Sequence, residues 1–246
     1  MIESTTILIV LCFLFAGTIK GIIGLGLPTV SLALLTVAID LPSAMALLLV
    51  PSLVTNLWQA SLGGNARVIL LRIWPFLLMA ITTIWIGARA LNHVDLGMLS
   101  ALLGILLVAY SSANLSGFSL SISNRQEKWA GPLVGLANGI LTGMTGSFVV
   151  PGVMFLQAIG LSRVELIQAM GILFALSTLA LGIALKNNDL LTIELGLHSS
   201  MGLLPAIAGM LLGQRLRKSI PEILFRKLFF VALLMLGAYI IATAVS

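Results

Sequence analysis

Charge is scarce in this sequence. Only 9% of its 246 residues are Asp, Glu, Lys or Arg, against about 25% in a soluble domain. No stretch is both long enough and polar enough to form a water-soluble domain, so any chemistry must lie among apolar segments or in short loops. Cysteine is nearly absent as well. Cys12 stands alone in an apolar run, which excludes an intrachain disulfide and marks it as a small core or lipid-facing residue. Also missing are a nucleotide-binding glycine loop, H-E-x-x-H, G-x-S-x-G and paired aspartates inside helices. The chain is therefore expected not to be an enzyme and to carry no cofactor and no metal. The N-terminal MIESTTILIVLCFLFAG has Glu3 in place of a basic n-region, so it is expected to begin the first membrane helix rather than to be a signal peptide.

What the chain does have is apolar length. The mean hydropathy is +1.16. Apolar segments fall at 5–39, 44–62, 68–91, 96–115, 130–159, 164–185, 190–213 and 223–245, separated by short connectors. Runs near twenty residues without period-2 alternation predict membrane helices rather than barrel strands. The net charge of +5 does not point to nucleic acid, because Lys and Arg in membrane proteins chiefly mark cytoplasmic loops.

Two segments are too long for a single crossing. Thr5 to Ile39 would make roughly 52 Å of helix against a hydrocarbon core of about 30 Å. Ala130 to Ile159 is also over-long and carries glycines and a proline. Each is expected to be two short helices joined at a break. If both return to the side from which they started, Arg67, Arg72, Arg125, Lys128, Arg163, Arg215, Arg217, Lys218, Arg226 and Lys227 share one side. Only Arg89 and Lys186 then lie opposite, with Lys20 inside the membrane. Single crossings would divide the same charges almost evenly, so the positive-inside tendency favours the hairpins.

The two halves resemble each other. Gly17-x-x-x-Gly21 matches Gly135-x-x-x-Gly139, AIDLPSAMALLLV (38–50) lies over AIGLSRVELIQAM (158–170), and Gly87-x-Arg89 falls on Gly213-x-Arg215. The charge count places Arg89 and Arg215 on opposite sides, which makes the repeats inverted, a known transporter design with a substrate near midplane. The expected fold is therefore all-α and polytopic. Two inverted repeats, 1–115 and 130–246, would each contain a broken-helix hairpin and three transmembrane helices, joined by a linker at 116–129.

The breaks read Gly17-x-x-x-Gly21-Ile-Ile-Gly24-Leu-Gly26-Leu-Pro28 and Gly135-x-x-x-Gly139-Ile-Leu-Thr-Gly143-Met-Thr-Gly146-Ser147-Phe-Val-Val-Pro151. Glycine admits backbone conformations closed to other residues, and proline suits the first turn of a new helix. A helix start presents free N–H groups and the positive end of a dipole, both suited to an oxyanion. Two such breaks meeting at midplane would make a small anion site. The candidate substrate-binding residues are Lys20, Gly21, Gly24, Gly26, Asn56, Gln59, Asn138, Thr142, Gly143, Thr145, Gly146 and Ser147, with Thr18 beside the first break and Gln168 and Ser177 in the helix after the second. Lys20 stands out, because charge deep in a bilayer is expensive and usually functional. The alternative for Lys20 is to snorkel to an interface, and for the hydroxyls to bond back to helix carbonyls. Trp58, Trp74, Trp85 and Trp129 suit interface anchoring or helix packing.

This paired pattern resembles the TauE/SafE family of sulfite and organosulfonate exporters, whose members carry glycine-rich breaks followed by proline near the start of each half. The resemblance covers nearly the whole chain, although the denser glycine run of the family is reduced here to Gly24-Leu-Gly26 and Gly143-Met-Thr-Gly146. It implies a secondary transporter of a small anion, such as sulfite or an organosulfonate, working by alternating access. Export across the inner membrane, driven by an ion gradient or the membrane potential, is the expectation. A channel, or a carrier of another solute such as a carboxylate, is the alternative. The expected partners are a small anion and the lipid bilayer, without nucleic acid, and the sequence leaves a homo-oligomer open.

Overall fold

A computed structural model describes residues 2–117, 120–217 and 221–245, apart from the side chains of residues 2–5, Glu222 and Val245. Among the described residues all regular structure is helical. The helices are α1 (Ile2–Ile23), α2 (Leu27–Ala38), α3 (Leu41–Leu47), α4 (Leu49–Ser61), α5 (Ala66–Thr82), α6 (Ile84–Ala88) and α7 (Leu96–Leu115) in the first half. They continue with α8 (Asn124–Thr145), α9 (Gly152–Ala158), α10 (Arg163–Asn187), α11 (Ile193–Met201), α12 (Leu203–Leu216) and α13 (Glu222–Val245). A 3-10 turn, Arg89–Asn92, extends α6. Six described helical stretches are long and apolar enough to cross a membrane: Thr6–Ile23, Ala66–Asn92, Leu96–Leu115, Arg163–Asn187, Ile193–Leu216 and Ile223–Ala244. The α3–α4 pair, bent by 46°, makes a seventh if counted as one span. The protein is a multi-pass membrane protein.

Both over-long segments fold back on themselves. α1 stops at Gly24 and Gly26, whose φ angles of 81° and 113° suit glycine alone, and Pro28 lies in the first turn of α2. The Sγ of Cys12 lies 3.8 Å from the carbonyl of Ser31, so α2 runs back along α1. In the second half Gly146, at φ 72°, ends α8. Ile122 N–H then donates to Ala158 O at 2.9 Å, which joins the two ends of that hairpin.

The sequence expectation was inexact at α8. The helix begins at Asn124, inside the expected linker, because Ser123 and Gln126 form a reciprocal capping box that satisfies two otherwise unpaired N–H groups. A similar box at Ser162 and Glu165 opens α10, and the Asp40 carboxylate caps α3.

Helix pairing follows a pattern of exchange. α1 of the first hairpin packs on α12, and α8 of the second packs on α5 and α6. The remaining principal contacts are α4 with α10 and α7 with α13. Glycine sets the closeness of the first two pairs. Gly17 and Gly21 face the backbone at Ala206, Met210 and Gly213. Gly139 and Gly143 face Ala80, Ile84 and Gly87, and Gly135 backs onto Phe76. Small residues at such crossings allow backbones to approach and gain dispersion contacts that lipid cannot supply. Matched by what they touch, Gly17 and Gly21 correspond to Gly139 and Gly143, one helical turn beyond the sequence match to Gly135 and Gly139. A run of three glycines at four-residue spacing admits either register in sequence, and only the partner helix distinguishes them.

Long-range contacts also define the two ends of the bundle. At one end, Asn92 donates to Asn188 O at 3.2 Å, and a cleft of about 220 Å³ brings Thr36–Leu41 together with Leu96–Ser100 and Ile240–Ala244. At the other, Asn65 N–H donates to Gln168, Arg72 meets Glu127, and Asn114 and Leu115 share a cleft with Ile223, Arg226 and Lys227. Arg89 and Lys186 are exposed beside the first end, while Arg67, Arg72, Arg125, Lys128 and Arg163 lie beside the second. Lys218 lies outside the described residues. Trp58, Trp74 and Trp129 are exposed on the bundle surface, whereas Trp85 packs partly into the core.

Candidate functional site

Lys20 lies in the last turn of α1 and is 4% exposed. It is the one Lys, Arg, Asp or Glu among the described residues that is fully buried. Its Nζ donates to Thr55 Oγ1 at 3.2 Å and makes a short contact to Asn56 Oδ1, both on α4. Neither partner is charged. The side chain does not snorkel, because α4 covers it and fixes it in the core. A cation held by neutral oxygens away from water is stable only where an anion or further dipoles offset its desolvation.

Other buried polar groups also use their hydrogen-bonding capacity incompletely. Asn56 is fully buried with its Oδ1 on Lys20, and its Nδ2 has no partner. The hydroxyls of Ser52 on α4 and Ser177 on α10 are likewise buried without partners. In the second hairpin, Asn138 Oδ1 accepts from Gly152 N–H at 2.9 Å while Asn138 Nδ2 is unpartnered, and Ser147 Oγ is unpartnered too. Each unsatisfied buried group costs about 1–3 kcal/mol, so each is a place where a ligand or water could bind.

The other candidates have partners of their own. Thr142 Oγ1 donates to Ser147 O at 2.9 Å, and Thr145 Oγ1 donates to Leu141 O and accepts from Ser147 N–H. These bonds shape the break after Gly146. Thr18 bonds back to Leu14 O within its own helix. Gln59 Nε2 donates to Ile167 O at 2.7 Å, and Gln168 Nε2 donates to Ala60 O at 2.8 Å. The two glutamines form a reciprocal clasp between α4 and α10, whose partners lie more than a hundred residues apart and so leave no local signal in the sequence. Gly21 and Gly143 turn their Cα faces to a neighbouring helix, whereas Gly24, Gly26 and Gly146 supply the left-handed turns.

Each break packs against apolar side chains. The first break packs on Ile167 and Phe229, and the second on Met45 and Leu32. α1 is 22 residues long, roughly 33 Å at 1.5 Å per residue, so its tip travels well past the middle of the bundle. α10 packs against elements of both halves: Gly171 backs onto Gln59 and Ala60 of α4, and Leu173 lies beside Gly152 of α9. At the start of α9 the Gly152 N–H is already bound to Asn138 Oδ1.

The family model for the sulfite exporter TauE/SafE matches residues 9–240. The chain belongs to the TauE/SafE family. That match spans both hairpins and both packing partners, so the glycine breaks, Lys20 and the asparagines all lie within the TauE/SafE region. No curated protein and no solved structure matches the chain. Membership makes the protein a membrane transporter of the sulfite exporter type, and the family is one of transporters, not enzymes.

Proposed function

We propose that this protein is a secondary transporter that exports sulfite or an organosulfonate across the inner membrane by alternating access between two inverted repeats. The observation that carries this reading is Lys20, a buried cation whose partners are neutral, one of which, Asn56, keeps a free Nδ2 one helical turn from the unpartnered hydroxyl of Ser52. A sulfur oxyanion supplies the missing countercharge and accepts hydrogen bonds from the free donors. Asn138 and Ser147 form a second set of donors on the other hairpin and would bind the same anion from the opposite side during transport.

The exchanged pairing of α1 with α12 and of α8 with α5 and α6 supports inversion, as does the gathering of basic residues at one end. Under the positive-inside tendency that end faces the cytoplasm. The α4–α10 contact joins the two halves of the chain, and Gln59 and Gln168 clasp it at the basic end, where it would hold two rocking bodies together.

Purified protein in liposomes loaded with sulfite, methanesulfonate or a carboxylate tests the reading. Efflux of the sulfur anions, lost in Lys20→Met, is the expected result. Carboxylate efflux with no sulfur-anion efflux, or a Lys20→Met variant as active as the parent, would refute it.

A further inference from the structure

The polar residues around Lys20 specify a charge as well as a shape. Lys20 is one positive charge, and no second buried Lys or Arg accompanies it among the described residues. The groups beside it on α4 are neutral: the amide of Asn56 and the hydroxyls of Ser52 and Thr55. The second hairpin adds no buried charge. Gly24 N–H bonds to Lys20 O and Gly146 N–H bonds to Thr142 O, each at 2.8 Å, so Thr142 stands at the end of α8 where Lys20 stands at the end of α1. At that matched position the second copy carries a hydroxyl, already donating to Ser147 O. Asn138 and Ser147 contribute only an amide and a hydroxyl.

We infer that the site accepts monoanions and rejects dianions of the same shape. The inference rests on the reading of Lys20 as the substrate's countercharge. A sulfonate or hydrogen sulfite bound at Lys20 makes a neutral pair in the core. A sulfate, phosphonate or sulfite dianion leaves one negative charge uncompensated in a low-dielectric interior, where net charge is far costlier than an unfilled hydrogen bond. Neutral donors soften that cost without cancelling it. Selectivity thus follows from the number of fixed charges, and the tetrahedral outline of the ligand plays a smaller part.

Methanesulfonate and methylphosphonate separate charge from shape, because both are a methyl group on a tetrahedral trioxo centre. Methanesulfonate remains a monoanion across neutral pH, whereas methylphosphonate passes from monoanion to dianion. Binding to the purified full-length protein in lipid nanodiscs is measured calorimetrically below and above that second ionisation. Comparable affinities are expected below it. Above it, methylphosphonate should weaken by about tenfold or more while methanesulfonate holds, which also excludes a change in Lys20 as the cause. Asn56→Asp sets a carboxylate against Lys20 and should abolish binding of both, while Asn56→Leu should only weaken it.

The outcomes are distinct. Equal binding of the phosphonate dianion and methanesulfonate would overturn the charge rule and leave the anion site standing. Loss of affinity for both ligands in parallel with rising pH would also overturn it. Binding of neither ligand at any pH, or undiminished binding in Lys20→Met, would overturn the proposed site itself and the inference with it.

Discussion

Gly143→Ala offers a direct test of how the second hairpin is held. A Cβ built at Gly143 would point into the backbone of α6, meeting Ile84 O, Ala88 N at 2.6 Å and Gly87 C at 2.9 Å. All three are main-chain atoms, so no rotamer can move aside. Ordinary contact requires a separation near 3.4 Å or more, so α8 must draw away from α6 by about 1 Å. That displacement loosens contacts along the whole crossing, where Gly139 and Gly87 are equally close. Overpacking of this kind costs about 1–3 kcal/mol. For a chain of this length the cost corresponds to a fall in Tm of roughly 2–12 °C. Gly196→Ala is the matched control, because its Cβ meets nothing within 4 Å and the residue lies within α11. It should be neutral or slightly stabilising, since alanine favours helix by up to about 1 kcal/mol over glycine. Thermal unfolding of both variants in one detergent, followed by tryptophan fluorescence, reads the difference. Equal Tm values for the two variants would refute the packing argument.

The remaining predictions concern other links in the fold. Gln168→Leu removes one half of the α4–α10 clasp and leaves Ala60 O and Asn65 N–H without that partner. It should lower the unfolding free energy by about 0.5–2 kcal/mol, and its combination with Gln59→Leu should be less than additive in a double-mutant cycle. Arg72 makes a two-pronged bond to Glu127 and also donates to Ile159 O at 2.7 Å. Arg72→Ala should therefore destabilise more than Glu127→Gln, by up to about 1 kcal/mol, because the carbonyl at the end of α9 loses its donor as well. A single cysteine at Asn65 in a Cys12→Ser background should react with a membrane-impermeant thiol reagent only in inside-out vesicles. Labelling from the outer face of intact cells would refute the assignment of the basic end to the cytoplasm.

Several features were legible before any coordinates. The helical class follows from run length, because a bilayer core of about 30 Å demands close to twenty apolar residues per crossing. The two hairpins follow from arithmetic of the same kind, together with Gly24, Gly26 and Gly146, whose conformations other residues resist. Lys20 announced itself because ionised groups are rare in hydrocarbon. These are local properties, set by a residue and its immediate neighbours in the chain.

Only tertiary structure could decide how the breaks are used. Gly21 and Gly143 became contact surfaces because a partner helix lies across them, and the register between the two glycine runs was fixed by Ala206, Met210, Ala80 and Ile84. Gln59 and Gln168 became a clasp through carbonyls on the opposite half of the chain. Lys20 was left facing Thr55 and Asn56 in place of water or a carboxylate because α4 folds over the end of α1. Hydropathy and spacing record how much a segment prefers the membrane. They carry no information about which distant backbone it will meet there, and that meeting gave this protein a buried positive charge with neutral partners.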